Sequence, residues 1–376
     1  MNQLKLLLLF LIISSSSFSQ TTITGNLIDK ETNLPIEFAT VYLDRTSIGT
    51  SSDSSGFFIL KNIPLPCKVV VSHINYETIT AEYPATQVQK LVLNLKLNPK
   101  QNKISEVVVN NRNLRKKNLR YFNKTFFGKD KYGDYAFLEN DGVLLFTSKK
   151  DERPSRYHLQ ELRPPEEFKA EAAAPLEVKL PLLGYDLYIN LTEFSVNKLN
   201  NQDLYETRCL GYTYFIRTVV NSEYKQKKIE EHRLHAYYNS RLHFFRALFA
   251  NQLKLNGYFI AIKTFDIESF EYAYEEFDLN EFVIRNEDSV EIVGLKDMVC
   301  YVLYYQNLKG KPMNINTKRR HAHPIVSSMS FKKDTCTIQS NGRVPEMSIV
   351  FGPKIGDKKV GSWLPDDYWP DEVIEE

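Results

Sequence analysis

Apolar and polar residues alternate along Ile23-Thr-Gly-Asn-Leu-Ile28. A period of two puts every second side chain on one face of a sheet, so this run predicts a half-buried strand. Asp29 to Asn33 is a polar turn, and Pro35 to Leu43 is a second strand region. Asp53-Ser-Ser-Gly56 has the Asp and Gly of a tight turn and leads into Phe57-Phe-Ile-Leu60. Val69 to Ile74 and Leu91 to Leu97 supply the last strands of the series. Short strands separated by turn residues predict a small β-sandwich over residues 22 to 97.

The pattern then changes. Leu119, Phe122 and Phe126 fall at helical spacing within Arg112 to Phe127, with Arg115, Lys116, Lys117 and Arg120 opposite. This predicts an amphipathic helix whose basic face is solvated, or else touches phospholipid head groups or an acidic partner. Ser240 to Leu255 predicts a second helix, with Ser240 as its cap, Leu242, Phe245, Phe249 and Leu253 on one stripe, and Asn256-Gly257 as its stop. Tyr212 to Val220, Arg233 to Tyr238, Phe259 to Phe265 and Met298 to Tyr305 are rich in aromatic and β-branched residues and read as strands of antiparallel sheets. Pro66, Val69, Asn75 and Tyr76 recur at a constant offset as Pro175, Val178, Gly184 and Tyr185. A second sandwich-like unit and coincidence both account for so short an echo.

The first region carries "G-x-L-x-D" at Gly25 to Asp29, "P-I-E-F-A-T-V-Y-L" from Pro35, "G-T-S-S-D-S-S-G-F-F" from Gly49 and "V-V-V-S-H-I-N-Y" from Val69. In that order these resemble the carboxypeptidase-regulatory-like domain, which implies a transthyretin-like β-sandwich and brings no catalytic residues. The family usually has Gly where this chain has Asn75, and both residues tolerate positive φ. Ile104 to Val109 resembles the strand that follows this domain in TonB-dependent outer-membrane transporters. The rest of the chain is too short and irregular for a transporter-sized barrel. Tyr121 to Gly128, Ala174 to Val178 with Leu183 to Tyr185, Ala236 to Ser240, His243 to Leu248 and Trp363 to Tyr368 resemble a functionally unassigned domain that follows the same sandwich in Bacteroidetes proteins. The expected organisation is a signal peptide over 1–19, the sandwich over 20–98, a linker strand and amphipathic helix over 99–127, and a larger β-rich α+β domain over 128–376.

The signal peptide follows from Lys5, the apolar run Leu6 to Ile13 and the small residues Ser17 and Ser19 before a cut ahead of Gln20. The apolar run is far short of the roughly 20 residues of a spanning helix, so it is expected to be removed, and no later window is apolar enough to span. No Cys follows the cut to carry a lipid. An apolar content of 43% with 12% aromatics argues for folded cores, and a formal charge of +2 gives no electrostatic case for nucleic acid. Cys67, Cys209, Cys300 and Cys336 form no CxxC pair. Export permits disulfides, and the spacing leaves open whether all four are free thiols or one pair is bridged.

His158-Leu-Gln-Glu161 matches the H-x-x-E element of zinc carboxypeptidases, with His232, His235, His321 and His323 downstream as third ligands. So short a match is expected by chance in a chain with seven His and many Glu. His232 and His235, read as strand residues three apart, point to opposite faces. His321 and His323 would share a face beside Lys318, Arg319 and Arg320, which disfavour a cation. Neither a G-x-S-x-G elbow nor a phosphate-binding glycine motif occurs. No catalytic, cofactor-binding or metal-binding residue is therefore assigned, and no cofactor is expected. The reading is an exported, non-enzymatic protein of the periplasm or outer membrane that binds or scaffolds, with an envelope protein as its partner. Alternatives are a polysaccharide-binding accessory, favoured if some of the 22 Tyr and 23 Phe cluster on the surface, and a zinc carboxypeptidase-like enzyme.

Overall fold

A computed structural model describes residues 21–84, 89–100, 112–149, 165–199, 204–266, 271–316, 323–344 and 348–370. The expected signal peptide, the strand expected over Ile104 to Val109, His158, Glu161 and His321 lie outside them. The fold is mainly β. The chain divides into two units, Met1–Asp44 with Ile48–Lys103, and Arg45–Ser47 with Ile104–Glu376.

The first unit is a two-sheet sandwich. In one sheet β1 (Thr21–Asp29) runs antiparallel to β4 (Phe57–Ile63) and parallel to β7 (Lys90–Val92) and β8 (Leu95–Leu97). The other has the order β3 (Gly49–Ser51), β2 (Thr40–Leu43), β5 (Cys67–His73), β6 (Tyr76–Tyr83). Burial alternates along β1, and Ile23 and Leu27 join Phe58, Leu60, Val41, Leu43, Val69 and Val71 in one core.

Two family motifs acquire a physical reason here. Asp29 accepts hydrogen bonds from the backbone of Glu31 and Thr32 through Oδ1 and from the Tyr76 hydroxyl at 2.8 Å through Oδ2. The first motif's Asp and the last motif's Tyr thus lock one polar corner of the sandwich. A Cβ at Gly25 would stand 1.8 Å from the Leu93 carbonyl oxygen, so only glycine admits that backbone.

The same approach corrects an expectation. Leu91 to Leu97 is two strands, because Leu93 and Asn94 turn aside to bond Thr24 and Asn26. Pro35 to Leu43 is a strand only from Thr40. Ahead of it the backbone bonds to buried Ser52, whose hydroxyl donates to Ile36 O and accepts from Ala39 N, and Phe38 sits at positive φ. Asn75 turns without positive φ, its N–H bonding His73 Nδ1.

The second unit holds three sheets. β13 (Tyr185–Leu199) is the axis of the first, pairing β14 (Leu204–Arg217) along one edge, and β11 (Glu167–Ala172) then β12 (Leu176–Leu180) along the other. β10 (Leu144–Lys149) flanks β11, and the two-residue β9 (Phe137–Leu138) flanks β12. The Asn140 side chain carries on where β9 stops, donating to Pro175 O and accepting from Glu177 N. The predicted helix α1 (Arg112–Phe127) forms, burying Phe122 and Phe126 among Leu144, Phe168 and Phe194. Its Arg115 is not a freely solvated charge, because the guanidinium donates to the carbonyls of Asp141 and Leu144. A short helix, α2 (Lys131–Tyr135), follows with Asp130 as its cap. The echoed residues occupy matching places in two hairpins, β5–β6 and β12–β13: just before and within the first strand, in the turn, and at the start of the second strand.

The strand expected over Arg233 to Tyr238 is instead the end of α3 (Glu223–Tyr237). Its buried stripe is Ile229, Arg233, Ala236 and Tyr237. Arg233 can occupy it because its guanidinium donates to Leu183 O and Gly184 O, pairs with Glu230 at 2.6 Å and lies 4.2 Å from the centre of the Tyr185 ring. Lys358 Nζ donates to the carbonyls of Ala236 and Tyr238 at the helix's C-terminal end.

The predicted helix at Ser240 is α4 (Arg241–Phe249), capped by the Ser240 hydroxyl but stopping well before Leu255 as the chain turns through Asn251 at positive φ. Phe245 of the expected stripe is in the core and Phe249 and Leu253 pack against it, while burial of every residue from His243 to Leu248 extends well beyond that stripe. Arg246 donates to Asn341 O, Asp366 O and Tyr368 O, and lies 3.7 Å from the Trp369 ring centre.

This helix packs on the second sheet, of order β16 (Glu271–Glu276), β15 (Tyr258–Asp266), β19 (Val299–Tyr304), β20 (Ile325–Phe331), β22 (Ile349–Phe351). The third sheet, β17 (Val283–Arg285), β18 (Ser289–Val293), β21 (Thr335–Gln339), closes the same core with Val290, Ile292 and Ile338. All four cysteines are free, and burial pushes the Cys300 thiol up to about 11. No helix among the described residues is long and apolar enough to cross a membrane.

Candidate functional site: an aromatic sheet face

Alternation divides β15 cleanly. Tyr258 and Ile260 face the α4 core, whereas Phe259, Ala261, Lys263 and Phe265 face the other way. The register sets Lys263 opposite Tyr274, Phe265 opposite Tyr272, and Ala261 opposite Tyr301. At one end of this outer face Phe259, Ala261, Leu303 and Tyr305 form a small cluster with Ile315. The cluster is covered because the chain after β19 folds back, with Met313 N bonding Tyr305 O and Ile315 N bonding Lys254 O.

Beyond that cover the face stays in solvent. Phe265, Tyr272 and Tyr274 are 49%, 64% and 39% exposed, and Tyr301 is half-buried beside them. Phe265 and Tyr272 meet edge to face at 5.2 Å, and Tyr274 and Tyr301 do so at 5.3 Å. The small Ala261 side chain leaves the room across which the second pair meets. Strand and residue spacings make the patch about 10 Å by 7 Å. Lys263 Nζ lies 3.9 Å from the Tyr272 ring centre. Lys254 pairs with Glu276, which stands opposite Ala261 on this face, at 2.7 Å. The face therefore offers ring surfaces with hydroxyl, ammonium and carboxylate groups at the rim. Such a set adsorbs a partner that has both apolar and hydrogen-bonding surface.

The strand argument that separated His232 from His235 fails, because residues three apart on a helix share a face. Both meet Tyr132, whose hydroxyl donates to His232 O at 2.9 Å and lies 3.1 Å from His235 Nδ1. Lys131 Nζ is 3.4 Å from His232 Nδ1. Desolvation, then the Lys131 ammonium, lowers the pKa of both imidazoles. A cation entering there meets that ammonium. Among the described residues no three His, Cys, Asp or Glu side chains gather to hold a metal. His323 is exposed.

Buried His243 has a fixed tautomer. Its Nδ1 accepts from Asn239 N–H, with the Tyr258 hydroxyl 2.8 Å away, and its Nε2 faces Asn256 Oδ1 at 3.2 Å. Burial pushes this imidazole down to about 3. No sequence signal marked the aromatic face as a site: β15 and β19 were expected as strands, but which of their faces is covered depends on residues 306–316.

The fold of the first unit defines its class, a β-sandwich with a polar corner built from the motif Asp and Tyr. Residues 23–109 match the CarboxypepD_reg-like domain family. No curated protein matches the chain. Solved structures similar to it include a Bacteroides uniformis protein described as a candidate carbohydrate binding protein, at 10% identity over 52% of this chain and 79% of that one, with a TM-score of 0.18. A Bacteroides fragilis protein described as a candidate membrane-associated protein of unknown function is 12% identical over 54% and 84%, with a TM-score of 0.18. A 9R-lipoxygenase from Cyanothece is 10% identical over 62% and 48%, with a TM-score of 0.19.

Proposed function

We propose that the protein is an exported, non-catalytic binding component of the cell envelope, and that the aromatic face of its second unit holds a neutral polysaccharide. The observation that carries this reading is the row Phe265, Tyr272, Tyr274 and Tyr301, left in water on a sheet whose other face is core. Exposed rings that touch one another and carry a polar rim mark contact sites more often than rings scattered singly. A sugar ring offers C–H bonds to an aromatic face and hydroxyls to the rim, so one ligand uses both. Affinity electrophoresis of the mature chain in gels containing individual polysaccharides tests this. Retardation by at least one neutral polysaccharide is expected, and Tyr272→Ala with Tyr274→Ala should weaken it by about tenfold, roughly 1.4 kcal/mol. Retardation by none, or retention unchanged in the double variant, refutes the reading.

A second reading rests on the edge. β16 is an exposed end strand of its sheet, and such a strand accepts an extended segment of an envelope protein through backbone hydrogen bonds. Proline in place of Glu276, whose N–H points away from β15, would weaken that mode and leave the rings in place.

Export is expected to end in cleavage before Gln20, and an intact mass that includes Met1 contradicts it. Metal analysis is expected to find no stoichiometric zinc. Zinc lost in both His158→Ala and Glu161→Ala would replace the proposal with a peptidase.

A further inference from the structure

The first sheet of the second unit carries a cleft of about 360 Å³ where β9, the β12–β13 turn and α3 come together. Register builds its polar side. Lys179 on β12 stands opposite Asp186 on β13 and opposite Phe137 on β9, so the three side chains form one cross-strand row. Lys179 Nζ bonds Asp186 at 2.6 Å and Glu139 at 3.3 Å, and the bond to Asp186 raises the lysine's pKa. Phe137, 48% exposed, forms one wall, and Thr218 and Ile229 form another.

The chemistry narrows the occupant. Two carboxylates against one ammonium leave a net negative mouth, which repels phosphates and carboxylates. An apolar guest would strip water from three charges and return no hydrogen bond. A cation would have to displace Lys179 from both its partners. A neutral polyhydroxylated ring meets none of these objections: its hydroxyls donate to Glu139 and Asp186 and accept from Lys179, while its C–H face lies on Phe137. The volume falls at the small end of ligand pockets and takes one or two such rings rather than a long chain.

We infer that the cleft lined by Phe137, Glu139, Lys179 and Asp186 is a second binding site, for a single sugar residue or a disaccharide. It shares a ligand class with the aromatic face but no residue, so the two readings fail separately. The test is saturation-transfer NMR and calorimetry of the mature full chain against glucose, galactose, mannose and N-acetylglucosamine, with ethanolamine as a cation probe. At least one sugar is expected to bind at millimolar concentration. Asp186→Asn and Lys179→Met, both partly exposed side chains and checked for an unchanged thermal transition, should each weaken binding by about tenfold or more. In a Tyr272→Ala, Tyr274→Ala background, which removes any contribution of the aromatic face, the two cleft variants should weaken binding by the same factor. Absence of saturation transfer for every sugar, sugar binding indifferent to both cleft variants, or binding of ethanolamine alone overturns the inference.

Discussion

The β16–β15–β19–β20–β22 sheet is aromatic on both faces, and the two faces use their rings differently. Inside, the Tyr258 hydroxyl is tied to His243, and its ring packs edge to face against Phe244 at 5.2 Å. Outside, the rings touch one another and Lys263. Composition and strand period are alike on the two faces, so neither distinguishes core from contact surface. What distinguishes them is the cover: α4 spans the inner face, and residues 306–316 cover only one end of the outer face.

The contrast breaks most sharply if the inner face tolerates truncation. Phe244→Ala removes a fully buried ring and is expected to cost about 3 to 5 kcal/mol, read from the urea midpoint of the second unit. A loss below about 1 kcal/mol would mean that α4 does not pack on this sheet as described.

A smaller effect comes from His243. With its pKa moved from 6.5 to about 3, the folded chain refuses a proton that the unfolded chain binds between those values. Stability from this group is therefore full above pH 6.5 and is lost as the pH falls toward 3. By pH 5 the loss is about 2 kcal/mol. Denaturant titrations at pH 7 and pH 5 should show that difference in the native chain, and a much reduced one in His243→Gln.

The smallest effect belongs outside. Tyr272→Ala and Tyr274→Ala should each change stability by about 0.5 kcal/mol or less. A larger loss by thermal melting would make the outer rings structural and remove the argument for a contact surface.

Much of the first unit was legible because its residues act locally. Asp53 accepts from Ser55 and Phe57 within its own turn, and the β1 alternation is direct. In the second unit α1 and the start of α4 were read from apolar spacing, whereas α3 was hidden because Arg233, with partners on Leu183 and Gly184, fills an apolar stripe position. The aromatic face shows the same limit: its strands could be read, except β16, but its exposure is set by a segment that follows β19 in the chain.

Arg246 also ties the second unit to its C-terminal segment. It lies on a helix whose core neighbours are already present once Ile355 has been made, yet two of its three carbonyl acceptors, on Asp366 and Tyr368, are 120 and 122 residues further along the chain. A polypeptide that ends before Asp366 lacks two of the three carbonyls and the Trp369 ring that covers the guanidinium. The pocket of Arg246 is therefore closed only by the C-terminal segment, so a chain shortened before Asp366 is expected to be less stable than the whole one.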